Sequence, residues 1–288
     1  MQLKRLILTP LILARHGSLR PGTVTLPDSS HRVHLNPDDD RAYKKLVMDS
    51  ARRRISTPMH FWRDHVRAAS PCLCLDVGAN YGECFAFGDY PPGSLCIPVE
   101  ANPVLLPFLE RTRSGHPDAD RIRIESCLVG DTDGVESSLF YSPTWTGGGS
   151  AVNSGADLQE AKVMSRTLDA IVAACPDWRD SPLVIKMDVE GYEGRALAGF
   201  NDLFRRDKVV GIMEFDTRML KRADTDPEAL FNRLSDRFSV FLTFPKQRRL
   251  QPVRKWAELM QHGSGDDLHC DLAFFSRPDL IAPSWTLV

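Results

Sequence analysis

The 288-residue chain predicts a mainly parallel, doubly wound α/β sheet that closes with a late antiparallel strand pair. Three observations carry that prediction. Short apolar runs alternate with helix-length segments from residue 72 almost to the end of the chain. Residues 72–83, CLCLDVGANYGE, lead from a buried strand through a glycine turn toward a helix start, the layout by which open α/β sheets hold nucleotide-like ligands. A second apolar run, residues 182–188 (PLVIKMD), ends in a carboxylate at the edge where such sheets bind ligands.

The elements follow in order. Residues 6–8 and 11–14 are apolar, come after Lys4 and Arg5, and are interrupted by Pro10. That run is too short to span a bilayer. No small-residue cleavage site follows Ala14, so a strand or loop packed on the domain is expected rather than a secretory leader. Residues 15–40, rich in Pro, Gly, Ser and Asp, read as an irregular lead-in. Asp38, Asp39 and Asp40 ahead of the basic segment 41–54 suit a helix dipole, and 58–69 reads as another helix. After the strand ending at Asp76, residues 95–100 (LCIPVE) are a second strand, irregular at Pro98. Helix 103–113, with Pro103 in its first turn, precedes a third strand over 121–128 and a shorter one over 137–141. Residues 144–155, TWTGGGSAVNSG, read as a glycine-rich loop, either closing over a substrate through Trp145 or forming a surface hairpin. Helix 166–174, strand 182–188, helix 192–200, strand 209–215 and helix 227–237 come next, then strands near 238–244 and 269–276. Residues 1–69 therefore read as an N-terminal extension, irregular then helical, ahead of an α/β domain over 70–288.

Composition is that of an ordinary soluble protein, 42% hydrophobic and 26% charged. A net charge of −2 excludes a global pull toward nucleic acid or acidic membranes. The distribution is uneven: residues 1–70 hold 13 Lys/Arg against 6 Asp/Glu, a balance of +7 that leaves −9 for the rest. A solvated basic helical surface is the expected reading of that segment. The seven cysteines are scattered without a CxxC pair, as reduced thiols of a reducing compartment would be, and a cytoplasmic location is expected.

The turn after the first strand reads Asp76-x-Gly78-x-Asn80-x-Gly82. A pyrophosphate-binding loop wants glycines at its first, third and sixth positions, which hold Gly78, Asn80 and Glu83 here. A glutamate in the last place crowds helix against strand and opposes a diphosphate. Two carboxylates bracketing the loop suit a cationic ligand, and S-adenosylmethionine, with its sulfonium and ammonium, meets that demand. Asn80 replaces a glycine because asparagine tolerates the left-handed conformation. Glu100 ends the second strand 24 positions after Asp76, where an acid can accept hydrogen bonds from both ribose hydroxyls. The ligand role is preferred, with the glycine turn at the right distance upstream, over a carboxylate that caps the helix announced by Asn102 and Pro103; a nicotinamide cofactor would use the same acid. The third strand should deliver Ser126, Cys127 or Leu128 near the adenine.

In residues 184–194, VIKMDVEGYEG, alternation places Lys186, Asp188 and Glu190 on one strand face. Polar groups on a central strand are expensive unless used or paired. A salt network without a catalytic role is the bland alternative.

At this point LDVGANYGE, VEANP, VGDTDG and IKMDVEGYEGRALAG together resemble the FkbM family of S-adenosylmethionine-dependent methyltransferases, over roughly residues 70–280. The resemblance implies a Rossmann-like class I methyltransferase fold and O-methylation of small molecules or glycosyl groups. It carries the cofactor loop onto Asp76, Gly78, Asn80 and Gly82, and the ribose-side acid and its neighbour onto Glu100 and Asn102. The motif at the cofactor–substrate edge falls on Lys186, Asp188 and Glu190. It leaves the substrate open.

Methyl transfer to a hydroxyl needs in-line alignment, exclusion of water, and a base within hydrogen-bond reach. Candidates are Asp188 and Glu190 after the fourth strand, and Glu214 and Asp216 after the fifth. Either pair could hold Mg²⁺, but no adjacent Asp-Asn pair supports a metal and none is expected. His262 and His269 lie on the expected substrate side, His262 in a QHGSGDD loop. Arg248, Arg249, Arg254 and Lys255 near Trp256 form a basic patch without interleaved aromatics, so nucleic acid is not expected as a partner. A small-molecule or glycosyl acceptor is expected, with homo-oligomerisation left open. The alternatives are an RNA ribose 2′-O-methyltransferase and a cofactor-binding module without catalysis. A dehydrogenase is disfavoured by Glu83.

Overall fold

The computed structural model describes residues 2–151, 158–244 and 247–288. The chain opens with a helix, Gln2–His16, where a strand or loop was expected. Leucine favours helix over strand, and Arg15 and His16 in the last turn complement the helix dipole. Gly17, at φ 69°, takes the left-handed position after the helix and donates its N–H to the Leu13 carbonyl at 2.8 Å. A small hairpin follows, β1 (Thr23–Thr25) with β2 (Arg32–His34). Asp39 then caps a continuous helical run, Asp40–Ala42, Tyr43–Val47 and Met48–Ala51, whose middle part is wound as a π-helix. Ser56 caps helix Thr57–Ala69.

The remaining strands are β3 (Leu73–Val77), β4 (Leu95–Val99), β5 (Leu128–Val129), β6 (Glu136–Ser142), β7 (Trp145–Ser150), β8 (Gln159–Arg166), β9 (Leu183–Met187), β10 (Val209–Asp216), β11 (Ser239–Thr243), β12 (Arg249–Pro252), β13 (His269–Phe275) and β14 (Thr286–Leu287). They form an α/β fold around an eight-stranded mixed sheet of order β14-β12-β11-β13-β10-β9-β3-β4. Strands β4, β3, β9 and β10 run parallel, and β13 is antiparallel to both β10 and β11, which is the late antiparallel pairing expected. A four-stranded sheet, β5-β8-β6-β7, stands beside it.

Three further expectations are corrected. The segment after Gly82 makes only a 3₁₀ turn, Phe85–Phe87, because Gly88, Pro91, Pro92 and Gly93 interrupt any longer helix. The third strand shrinks to Leu128–Val129, and the chain before it meets β4 only through isolated bridges at Ile122 and Glu125. The glycine-rich segment is paired as β7 on the edge of the smaller sheet, where glycine needs no side-chain support from a core; its residues 152–155 lie outside the described residues. Among the described residues no helix is long and apolar enough to cross a membrane.

Alternation along the parallel strands builds an apolar layer on each sheet face. Cys74, Val184 and Val210 pack with Phe61 and Trp62 of helix Thr57–Ala69. Leu75, Ile185 and Met213 pack with Leu168, Leu197, Phe200 and Phe231 on the other side. Each such large apolar side chain contributes about 1.5–3 kcal/mol by burial. The sandwich fixes the carboxyl ends of β3, β4, β9 and β10 as one edge.

Candidate active site

That edge opens into a cavity of about 490 Å³. The turn after β3 has Gly78 at φ 75°, Asn80 at 52° and Gly82 at 87°, so asparagine does occupy a left-handed position. Gly78 lies so close to β9 that an added Cβ would collide with the Asp188 carbonyl oxygen. The Asn80 N–H donates to Glu100 Oε2 at 2.7 Å, and the Asn102 N–H donates to Glu100 Oε1 at 2.8 Å. Glu100 therefore braces the turn and the following loop while still lining the cavity; burial raises its carboxyl pKa. Each of its oxygens retains a second lone pair for a ligand hydroxyl. Asn102 Oδ1 accepts from the Val104 N–H at 3.1 Å, whereas its buried Nδ2 finds no partner among the described residues. Cys127 lines the same cavity, its thiol pushed up to about 12 by burial.

Asp76 and Gly82 do not line the cavity, contrary to a direct ligand-binding role. Asp76 is fully buried behind the turn, where Oδ2 accepts from the Phe85 N–H at 3.1 Å and Oδ1 lies 3.5 Å from Lys186 Nζ. Pairing register already opposes Asp76 and Lys186 across β3 and β9. Lys186 donates to the Gly78 carbonyl at 2.6 Å and stands 3.9 Å from Asp188 Oδ2. Burial works against its charge, but Asp76 and Asp188 more than offset that and raise its pKa. Lys186 is thus tied to the back of the turn.

Strand β9 ends at Met187, so Glu190 reaches the cavity through a turn, at φ 55°, rather than by strand alternation. Asp188, Glu190 and Glu214 each offer a carboxylate oxygen, all within 4.8 Å of one another. That is spacing a divalent cation could use, although Lys186 and His269 already place positive charge beside it. Burial raises the Asp188 carboxyl despite Lys186, and burial with Asp188 and Glu214 nearby pushes Glu190 up to about 9. Burial would raise Glu214 too, but hydrogen bonds from His269 and Asp188 bring it below its ordinary value. His269 Nε2 sits 3.2 Å from Glu214 and Nδ1 3.0 Å from Asp216; its pKa is raised to about 9 by those acids, so the ring is charged at neutral pH. Asp271, opposite Glu214 on β13, is raised to about 7 by burial and the neighbouring acids.

Asp216 caps helix Thr217–Arg222 and holds His269, outside the cavity lining. His262 also lies outside it, 3.3 Å from Gln251. The basic patch is partly spent, since Arg248 binds Asp64 at 2.8 Å. Sequence reasoning missed Asp271, whose signal was its place two residues beyond His269 on an antiparallel neighbour of β10. It also missed the contribution of the N-terminal segment: Arg41, Lys45, Leu46, Pro58 and Met59 form one wall. Asp39 anchors that wall, with Oδ2 accepting from the Tyr81 hydroxyl at 2.8 Å and from Thr146 Oγ1. Lys44 stacks over the Trp145 ring at 4.6 Å.

The α/β fold thus presents a carboxylate-lined cavity at the glycine turn on the sheet edge. A model described as the methyltransferase FkbM domain matches residues 76–239, and the chain belongs to this family. Solved structures with similar folds include a protein from Klebsiella pneumoniae described as an O-methyltransferase: 9% identity, 78% of this chain and 82% of that one covered, TM-score 0.42. EvdMO1 is 11% identical over 77% of this chain and 41% of its own, with a TM-score of 0.41. A precorrin-6y C5,15-methyltransferase from Geobacter metallireducens is 10% identical over 73% and 84%, with a TM-score of 0.35. A search of curated proteins returns no match.

Proposed function

We propose that the protein is an S-adenosylmethionine-dependent O-methyltransferase of Rossmann-like class I architecture, acting on a hydroxyl of a small molecule or glycosyl compound. The observation that carries this reading is the pairing, in one cavity, of two ligand-directed groups with a hydroxyl-directed cluster. Glu100 has lone pairs to spare for ribose hydroxyls, and Asn102 Nδ2 is a buried donor with no described partner. Buried unpaired donors are rare unless a ligand or water satisfies them, so this residue set fits an adenosyl group. A bound S-adenosylmethionine would supply an electrophilic methyl carbon.

The chain's own residues then have separable tasks. Glu100 and Asn102 hold the nucleoside end. Lys186 fixes the turn by its bond to the Gly78 carbonyl and sits between Asp76 and Asp188, opposing the rise that burial gives both carboxyls. Asp188 and Glu214 face the place where an acceptor hydroxyl must lie, and a proton leaving that oxygen can pass to a carboxylate with raised basicity. His269 balances the charge on Glu214, and the Glu190 carboxyl, pushed up to about 9 by burial beside Asp188 and Glu214, belongs to the same cluster. A thermal-shift panel of S-adenosylhomocysteine, NAD and NADP tests the cofactor, with stabilisation by S-adenosylhomocysteine alone expected. Stabilisation by a nicotinamide alone overturns the reading. Release of S-adenosylhomocysteine with a panel of phenols, hydroxy acids and glycosides then assigns the acceptor class.

A further inference from the structure

The cavity is lined by many acids, among them Glu83, Glu100, Asp188, Glu190, Glu214 and Asp271. That suits the sulfonium and ammonium of S-adenosylmethionine but repels its α-carboxylate, which needs a cation of its own. Lys186 is spent on the Gly78 carbonyl and two aspartates, and His269 on Glu214 and Asp216. Lys45 and Arg54 line the cavity but are exposed. Arg41 differs from these. It comes from the N-terminal segment, before the residues matched by the family model, and its side chain is only 16% exposed. Its Nη1 donates to Asn80 Oδ1 at 2.8 Å and its Nη2 to Glu83 Oε1 at 3.0 Å. These bonds use two of the five N–H donors of a guanidinium. Asp39 orients the start of this helical run by accepting from the Arg41 N–H at 2.8 Å, while also binding Tyr81 next to Asn80.

We infer that Arg41 is the residue that receives the α-carboxylate of the methyl donor, so that the N-terminal segment completes the cofactor site. The inference rests on the S-adenosylmethionine reading above. A bare guanidinium–loop contact would only shape the turn; a carboxylate-binding role adds discrimination between ligands that carry the amino-acid end and ligands that lack it.

The test is calorimetric, on the full chain, with S-adenosylhomocysteine and 5′-methylthioadenosine, which shares the adenosyl thioether but has no carboxylate or ammonium. Arg41→Gln should weaken S-adenosylhomocysteine by about 10- to 100-fold and 5′-methylthioadenosine by less than about threefold, the span expected for one charge-assisted contact. Equal losses for both ligands would show that Arg41 only supports the turn, and unchanged affinities would show no contact; either overturns the inference. If Arg41→Gln does not fold, Arg41→Lys keeps the charge without the fork, and its preference for S-adenosylhomocysteine should fall about 3- to 10-fold; a full wild-type preference overturns the inference. The cofactor reading fails separately, through wild-type protein that binds neither ligand.

Discussion

Replacing Lys186 by methionine should unfold the protein far more readily than its distance from the surface chemistry suggests. Lys186 Nζ lies 3.5 Å from Asp76 Oδ1 and 3.9 Å from Asp188 Oδ2. At an effective dielectric of about 20, those separations correspond to roughly 4–5 kcal/mol of attraction each, before the desolvation of the ammonium is subtracted. Asp188, 35% exposed at its side chain, can recover hydration when the lysine goes. Asp76 has no exposure at all, so Lys186→Met strands a buried carboxylate and should cost about 3–5 kcal/mol. Asp76→Asn keeps an oxygen for the Phe85 N–H and removes the stranded charge. The double variant Lys186→Met/Asp76→Asn should therefore recover about 2 kcal/mol or more relative to Lys186→Met alone. Urea unfolding of ligand-free wild type, both single variants and the double variant measures the coupling, provided the m values agree. A Lys186→Met loss below about 1 kcal/mol, or strict additivity of the two substitutions, would refute the buried-pair account.

Other outcomes follow from the same geometry. Asp188→Asn should leave the melting temperature close to wild type and lower single-turnover methyl transfer by roughly 10²–10⁴-fold; normal turnover would move the base to Glu214 or Glu190. Glu100→Ala should weaken S-adenosylhomocysteine by about 1–3 kcal/mol and also lower the ligand-free melting temperature, because the Asn80 and Asn102 N–H groups lose their acceptor. Calorimetry with unchanged affinity would leave Glu100 as a brace alone. His269 has a folded pKa raised from 6.5 to about 9, so its stabilising charge is fully present below 6.5 and is lost as pH rises through about 9. Unfolding free energies measured from pH 6 to 9.5 should fall more steeply for wild type than for His269→Gln, by a margin tempered by the exposure of the ring; parallel profiles would contradict the ion-pair assignment.

Much of this was legible in the chain because local pattern and tertiary demand agree. The central parallel strands are continuous apolar runs, and Gly78, Asn80 and Gly82 take the left-handed conformations their identities suggest. The misreadings share one physical origin, which is that local pattern does not report what lies alongside. Helix Gln2–His16 carried a readable terminus in Arg15, His16 and Gly17, but Pro10 drew the reading away from a helix. The edge strand β7 is held by its pairing with β6, which no glycine run reveals. Asp76 looks like a ligand contact in sequence, yet its register opposite Lys186 makes it part of the turn's buried foundation. Asp271 and His269 depend on the antiparallel register of β13 with β10, and a shift of one residue would turn both away.

The uneven charge of the chain acquires a structural meaning at the cavity. Residues 1–70 carry a balance of +7 and the remainder −9, and solvated surface was the expected home of the excess positive charge. Part of it instead crosses to the acidic part of the chain: Arg41 pairs with Glu83 at 3.0 Å, and Arg41, Lys45 and Arg54 share the cavity with the carboxylates of β9 and β10. An acidic edge alone would bind the cationic end of a methyl donor yet repel any anionic group on donor or acceptor. On the proposed reading, a basic wall carried by a separate segment divides the two demands: the acids take the proton, and Arg41 receives the anionic end of the donor. The glycine turn and its carboxylates fall inside the family match, and Arg41 lies before it. On the proposed reading, methyl-transfer chemistry is held on the sheet edge, and recognition of the donor's anionic end falls to the wall that Asp39 ties to it.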